Sequence, residues 1–139
     1  MYQPGDVVSR RKGVFMHRGI VLEDGYVLHN TPLKGQHTST LEEFSKNKSV
    51  YPANHRPEVR DRTLSNVLDY EHRRYNPFNN NCEHTVTRAT KNEARSPQLR
   101  GWIVGAAFAA IGFAVTRHPA IAIAGFALGK KLGSKGELA

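Results

Sequence analysis

The sequence predicts an α+β fold followed by an apolar C-terminal segment. Residues 5–29 alternate short apolar stretches with tight-turn signals, the pattern of a small hairpin sheet. Residues 61–95 carry helix caps and a helical apolar stripe. Residues 101–128 are mostly apolar, with glycine and alanine throughout. A chain of 139 residues has room for one ordinary domain and not for two. The division falls after residue 97: a domain over 1–97, then a hydrophobic segment with a basic tail over 98–139.

The elements follow in order. Residues 5–10 read as a strand with Val7 and Val8 as its apolar content, and Arg10-Arg11-Lys12-Gly13 as a basic turn with solvated charge. Residues 14–22 form a second strand. Glu23-Asp24-Gly25 is a hairpin turn of the Asp-Gly kind, and residues 26–29 return from it. His17 and His29 therefore lie on the two arms of one hairpin, with their faces not fixed by parity. Residues 31–35 read as a loop. Ser39 or Thr40 caps a short helical turn, with Glu42 or Glu43 reaching back. Residues 49–51 suggest a strand ended by Pro52, and residues 53–62 a polar loop. Asp61 or Thr63 opens a helix to about residue 74, with Leu64, Val67, Leu68 and Glu71 at helical spacing. A further helix runs over 82–95 and is stopped by Ser96-Pro97; its apolar content is only Val86 and Ala89.

Asn79-Asn80-Asn81-Cys82-Glu83-His84 holds the only cysteine of the chain. Asn80 or Asn81 can cap the helix that follows, which places Cys82 in its first turn. Free N–H groups and the helix dipole there favour a thiolate. A lone cysteine at a helix start, with histidines elsewhere in the chain, is a candidate nucleophile. Such a thiol needs a base, and the base needs a third group to orient it. His17 and His29 are the histidines on offer. His84 reads as a structural group at the helix start, and Glu83 as a residue favoured by the dipole. His37, His55, His72 and His118 read as solvated or locally bonded, with no metal-ligand spacing.

The formal net charge of +8 inclines the chain toward anionic partners such as acidic lipid headgroups. No specific nucleic-acid partner is expected, because no recognition motif or aromatic-basic platform is visible. One cysteine excludes an intrachain disulfide framework. The first residues lack the apolar run of a secretory signal, so a reducing, cytoplasmic setting is expected. In the C-terminal segment, Arg117-His118-Pro119 interrupts the apolar run. The segment can span a bilayer, dip into it as a helical hairpin, or pack on itself. Gly101-x-x-x-Gly105 and Gly125-x-x-x-Gly129 supply small faces for helix contact, and Lys130, Lys131 and Lys135 a basic flank. Association with a phospholipid membrane is the expectation.

The stretch from His17 to His29, His-Arg-Gly-Ile-Val-Leu-Glu-Asp-Gly-Tyr-Val-Leu-His, resembles a segment of the lecithin:retinol acyltransferase-like (LRAT domain) proteins. Asn81-Cys82-Glu83-His84 matches that family's Asn-Cys-Glu-His box, and Gly5-Asp6-Val7-Val8 resembles its opening strand. The likeness covers residues 4–92. It implies a small antiparallel sheet packed against helices, a permuted relative of the NlpC/P60 and papain-like cysteine enzymes. It implies Cys82 as nucleophile, His17 as general base and acid, and His29 as the group orienting His17. The Cys82 backbone N–H would help bind the oxyanion. No cofactor and no metal are implied. The activity implied is phospholipase A1/A2 or acyltransferase chemistry on glycerophospholipid acyl esters, through an acyl-thioester on Cys82. Glu23, Val21 and Thr85 depart from the family pattern and bear on substrate and acceptor, not on the trio. The rival expectations are a cysteine peptidase or amidase using the same trio, and a non-enzymatic membrane-interacting protein.

Overall fold

The computed structural model of the chain describes residues 1–53, 55–68, 74–78, 80–93 and 95–135. They fall into two compact units, Met1–Arg95 and Ser96–Ala139. The fold is α+β, with a five-stranded antiparallel sheet in the first unit. Its strands are β1 (Val7–Lys12), β2 (Phe15–Val21), β3 (Val27–Thr31), β4 (Gly35–Ser39) and β5 (Val50–Ala53), in the order β4-β3-β2-β1-β5. The helices of this unit are α1 (Leu41–Ser45), α2 (Pro57–Leu68) and α3 (Cys82–Lys91).

Alternation along the strands divides the core into two faces. Val7 and Ile20 pack with Val86 and Ala89 of α3. Val8, Val21 and Val27 pack on the other side with Phe44 of α1. The Asp-Gly turn fixes the register between β2 and β3: Gly25 takes φ +81°, and the Asp24 carboxylate accepts from the Tyr26 N–H at 3.0 Å. Gly19 then lies opposite His29. A Cβ on Gly19 would stand 3.1 Å from the Phe44 ring and 2.5 Å from Val27, so only glycine lets that ring close onto the sheet. Phe44 is 1% exposed. Phe44→Ala is expected to lower stability by about 3–5 kcal/mol, measured by urea denaturation. A loss under about 1 kcal/mol would show that Phe44 does not hold this face together.

Several expectations are corrected. β1 runs through Arg10-Arg11-Lys12, and the turn moves to Gly13 at φ +61°. Arg10 is accordingly buried, not a solvated turn residue. The stretch expected as a loop ends in β4, a wholly polar edge strand beside β3 that carries no apolar pattern to reveal it. Pro52 lies inside β5; an edge strand tolerates it because one row of its N–H groups has no partner strand. α2 begins at Pro57, in the expected loop, because proline at a helix start forgoes only an N–H that is unpaired anyway. Its expected course through residues 69–73 lies outside the described residues. α3 ends at Lys91, where Asn92 turns left-handed at φ 57°.

The second unit is a helical hairpin, α4 (Pro97–Thr116) and α5 (Pro119–Gly133). Arg117 closes α4 in the left-handed conformation and Pro119 starts α5. Glycines line the seam: a Cβ at Gly105 would meet the Phe126 carbonyl at 2.9 Å, and one at Gly129 the Val104 carbonyl at 2.7 Å. Outward-facing Ile103, Ile111, Val115, Ile123 and Leu128 are exposed. α4 is long and apolar enough to cross a membrane.

Candidate active site

α3 starts where local chemistry dictates. Asn81, not Asn80, is the cap: its side-chain oxygen accepts from the N–H groups of Glu83 at 2.9 Å and His84 at 3.1 Å. His84 Nδ1 lies 3.5 Å from the Asn81 N–H and closes the capping box. Asn30 of β3 anchors this start to the sheet by donating to the Asn80 carbonyl at 2.9 Å and to Thr85 at 3.3 Å. The inward side of α3 is strongly polar. Glu83, 2% exposed, sits 3.7 Å from Arg18 of β2, and Thr87 and Thr90 donate to backbone carbonyls. Polar packing of this kind explains how a helix with so few apolar residues docks.

Cys82 is the first residue of α3 and is half-buried. Its sulfur accepts a hydrogen bond from the Arg18 backbone N–H. The ladder explains why that N–H is available. Val21 spends its N–H on the β1 side, bonding to Asp6, so alternation turns the Arg18 N–H toward β3. The β2–β3 pairing stops at Gly19↔His29, whereas β2 stays paired to β1 as far as Phe15. The peptide that the sulfur of Cys82 touches joins His17 to Arg18.

His17 and His29 share one face of the sheet, on either side of Gly19. His17 Nε2 lies 3.1 Å from His29 Nδ1, and His29 Nε2 lies 2.9 Å from the Ser39 hydroxyl. The Ser39 hydroxyl donates to the Thr40 carbonyl at 3.2 Å. With the hydroxyl so directed, Ser39 accepts from His29 Nε2–H and His29 Nδ1 accepts from His17 Nε2–H; this tautomer assignment, one of those the contacts admit, leaves the Nδ1 lone pair of His17 to take a proton. In the sequence Ser39 reads only as a helix cap. Thr40 fills that role, its hydroxyl accepting from Glu43 N–H at 3.2 Å, and Ser39 is left to hold His29. His37 packs against His29 with ring centroids 4.2 Å apart.

Burial dominates the electrostatics. It lowers the His17 pKa to about 3 and that of His29 to about 4, with the neighbouring histidine (His29 and His37 respectively) and then nearby cations adding to the effect. Burial also raises the Cys82 thiol, against the pull of the Arg18 N–H. At neutral pH the thiol and the two imidazoles are therefore all neutral at rest; the hydrogen bonds and ring contacts of His17 and His29 are with each other, Ser39, His37 and Phe44, and none among the described residues is with Cys82. The Asn81 cap satisfies the N–H groups of Glu83 and His84, leaving that of Cys82 as the donor beside its own sulfur. Among the described residues no cluster of histidine, cysteine, aspartate and glutamate could hold a metal ion. The groups available suit nucleophilic chemistry: a thiol, a buried hydrogen-bonded histidine pair, and an N–H for developing negative charge. No protein-family profile matches the chain, and no curated protein matches it.

Proposed function

We propose that the chain is a thiol-dependent acyl-transfer enzyme of the lecithin:retinol acyltransferase-like kind, acting on glycerophospholipid acyl esters. One observation carries this reading: the line Ser39–His29–His17 ends beside the peptide that binds the sulfur of Cys82. A buried, hydrogen-bonded histidine pair is suited to proton transfer. The likeness of the His17–His29 stretch and of the Asn-Cys-Glu-His box supports the same assignment.

In this mechanism Sγ of Cys82 attacks the ester carbonyl as its proton passes to His17 Nδ1. The oxyanion forms at the Cys82 N–H. The ester C–O bond breaks, and His17 returns the proton to the departing lysophospholipid oxygen. Water or an alcohol or amine acceptor then attacks the thioester. His17 takes the acceptor's proton and gives it back to the sulfur. His29 stabilises the transient imidazolium by keeping His17 in place.

The hairpin gives the enzyme access to an insoluble substrate. The 20 residues of α4 extend about 30 Å, the thickness of a bilayer core. Lys130 and Lys131 near the end of α5 favour an anionic leaflet. The setting proposed is the cytoplasmic side of a membrane.

The test is incubation of the full chain with mixed phospholipid vesicles, read by intact mass spectrometry beside Cys82→Ala. An adduct of fatty-acyl mass, absent from the variant, is the expected result. Release of fatty acid without an adduct supports the same chemistry with fast hydrolysis. Neither adduct nor released lipid, with cleavage of a soluble peptide amide instead, would replace this reading by the amidase.

A further inference from the structure

Arg10 is 4% exposed, yet no carboxylate is paired with it among the described residues. Buried cations are ordinarily matched by an anion. Arg10 lies directly opposite His17 in the β1–β2 register. Its Nε donates to the Phe44 carbonyl, and its guanidinium carbon stands 5.7 Å from the centre of the Phe44 ring. The same ring lies 5.3 Å from those of both His17 and His29. Nε alone has a protein partner among the described residues, so the four Nη hydrogens remain for another acceptor. After burial and the neighbouring histidine, the charges acting on His17 are Arg10, Lys12 and Lys46, and those on His29 are Arg10, Lys34 and Lys46; all of these are positive. Cys82 is the other group within electrostatic reach of Arg10, and it is a neutral thiol at rest.

The geometry points to a phosphate-recognition site made by Arg10 with Lys12 and Lys46 beside His17, which selects acyl esters whose headgroup is net anionic. This rests on the acyl-transfer reading and adds the substrate class to it. A guanidinium donates to phosphate through parallel N–H groups, and the lysines add charge at the rim. A phosphate at this place also offsets the cations that add to burial in keeping His17 neutral. The substrate would thereby raise the basicity of the group that must take the thiol proton.

Short-chain lipids below their micelle concentration separate recognition at this site from adsorption to a membrane. For the full chain in nonionic detergent, kcat/KM for dihexanoyl phosphatidylglycerol is expected to exceed that for dihexanoyl phosphatidylcholine by about tenfold. Arg10→Gln, or Lys12→Gln with Lys46→Gln should the first variant fail to fold, is expected to erase the difference. A second measurement needs no turnover: titration of Cys82→Ala with glycerol 3-phosphate and, separately, inorganic phosphate, followed by the NMR signals of His17 and His29. Saturable shifts with an upward move of the His17 titration are expected, and they should weaken in Arg10→Gln. Stronger binding of glycerol 3-phosphate marks a headgroup site, and equal binding a site for phosphate alone. Equal cleavage of the two lipids with no saturable shift overturns the site and leaves the acyl-transfer reading intact. Saturable binding without cleavage of any ester keeps the site and overturns that reading.

Discussion

His17→Gln is expected to lower kcat/KM for acyl-ester cleavage by about 10⁴-fold while leaving the protein folded. Glutamine keeps the polar character of the position. Its amide can still donate to His29 Nδ1, which lies 3.1 Å from the present Nε2. It cannot accept and release a proton at neutral pH, so the experiment removes the base and retains the local hydrogen bond. The line of contacts predicts a graded order: His17→Gln costs most, His29→Ala less, and Ser39→Ala least, because each acts through the one before it. Alkylation of Cys82 by iodoacetamide gives a second readout. Burial holds the thiol protonated, so alkylation at pH 7 should be slow in the wild type and little changed in His17→Gln. Retention of kcat/KM within about tenfold in His17→Gln would remove His17 from the chemistry. A fast alkylation abolished by the same change would instead mean a preformed thiolate–imidazolium pair.

What the sequence disclosed, and what it hid, follows from how local each signal is. The cap at Asn81 and the turn at Asp24-Gly25 depend on side chains reaching their own backbone within a few residues, so their residue types announce them. The shared face of His17 and His29 is set by register across the hairpin, which residue spacing alone leaves open. β4 escaped notice because its contribution is made by its backbone against β3 and by Ser39 against His29. Arg10 escaped for a related reason. Among Arg11, Lys12 and Gly13 it looks like turn charge, and only its pairing with His17 takes it inside. The sulfur's contact with the Arg18 N–H arises from two strands parting, and no residue type marks that. The hairpin was legible as apolar composition, while its self-packing seam emerges from which glycines face which carbonyls.

Acid should unfold the sheet domain well above the pH at which its carboxylates alone would do so. In the unfolded chain each histidine binds a proton as pH falls through about 6.5; folded His17 and His29 resist until about 3 and about 4. Between those limits the unfolded state holds more protons, so stability is full above about 6.5 and falls continuously below it. Each unit of pKa difference is worth about 1.4 kcal/mol, so His17 alone withdraws several kcal/mol by the lower end of the window. A domain stable by only about 5–15 kcal/mol has little margin against that loss. Amide hydrogen exchange in β2 and β3, followed from pH 7 to pH 4 and corrected for the intrinsic rate, measures it directly. The expected outcome is a fall in protection that starts near pH 6. His17→Phe removes the titrating group and places a ring where His17 already stacks on Phe44 at 5.3 Å, so it should move the loss to lower pH. The same variant must be inactive. Stability gained in acid and activity lost at neutral pH, from one substitution, is the mark of a residue buried for proton transfer at a cost to the fold. Unchanged acid sensitivity in His17→Phe would place the weak point elsewhere in the domain.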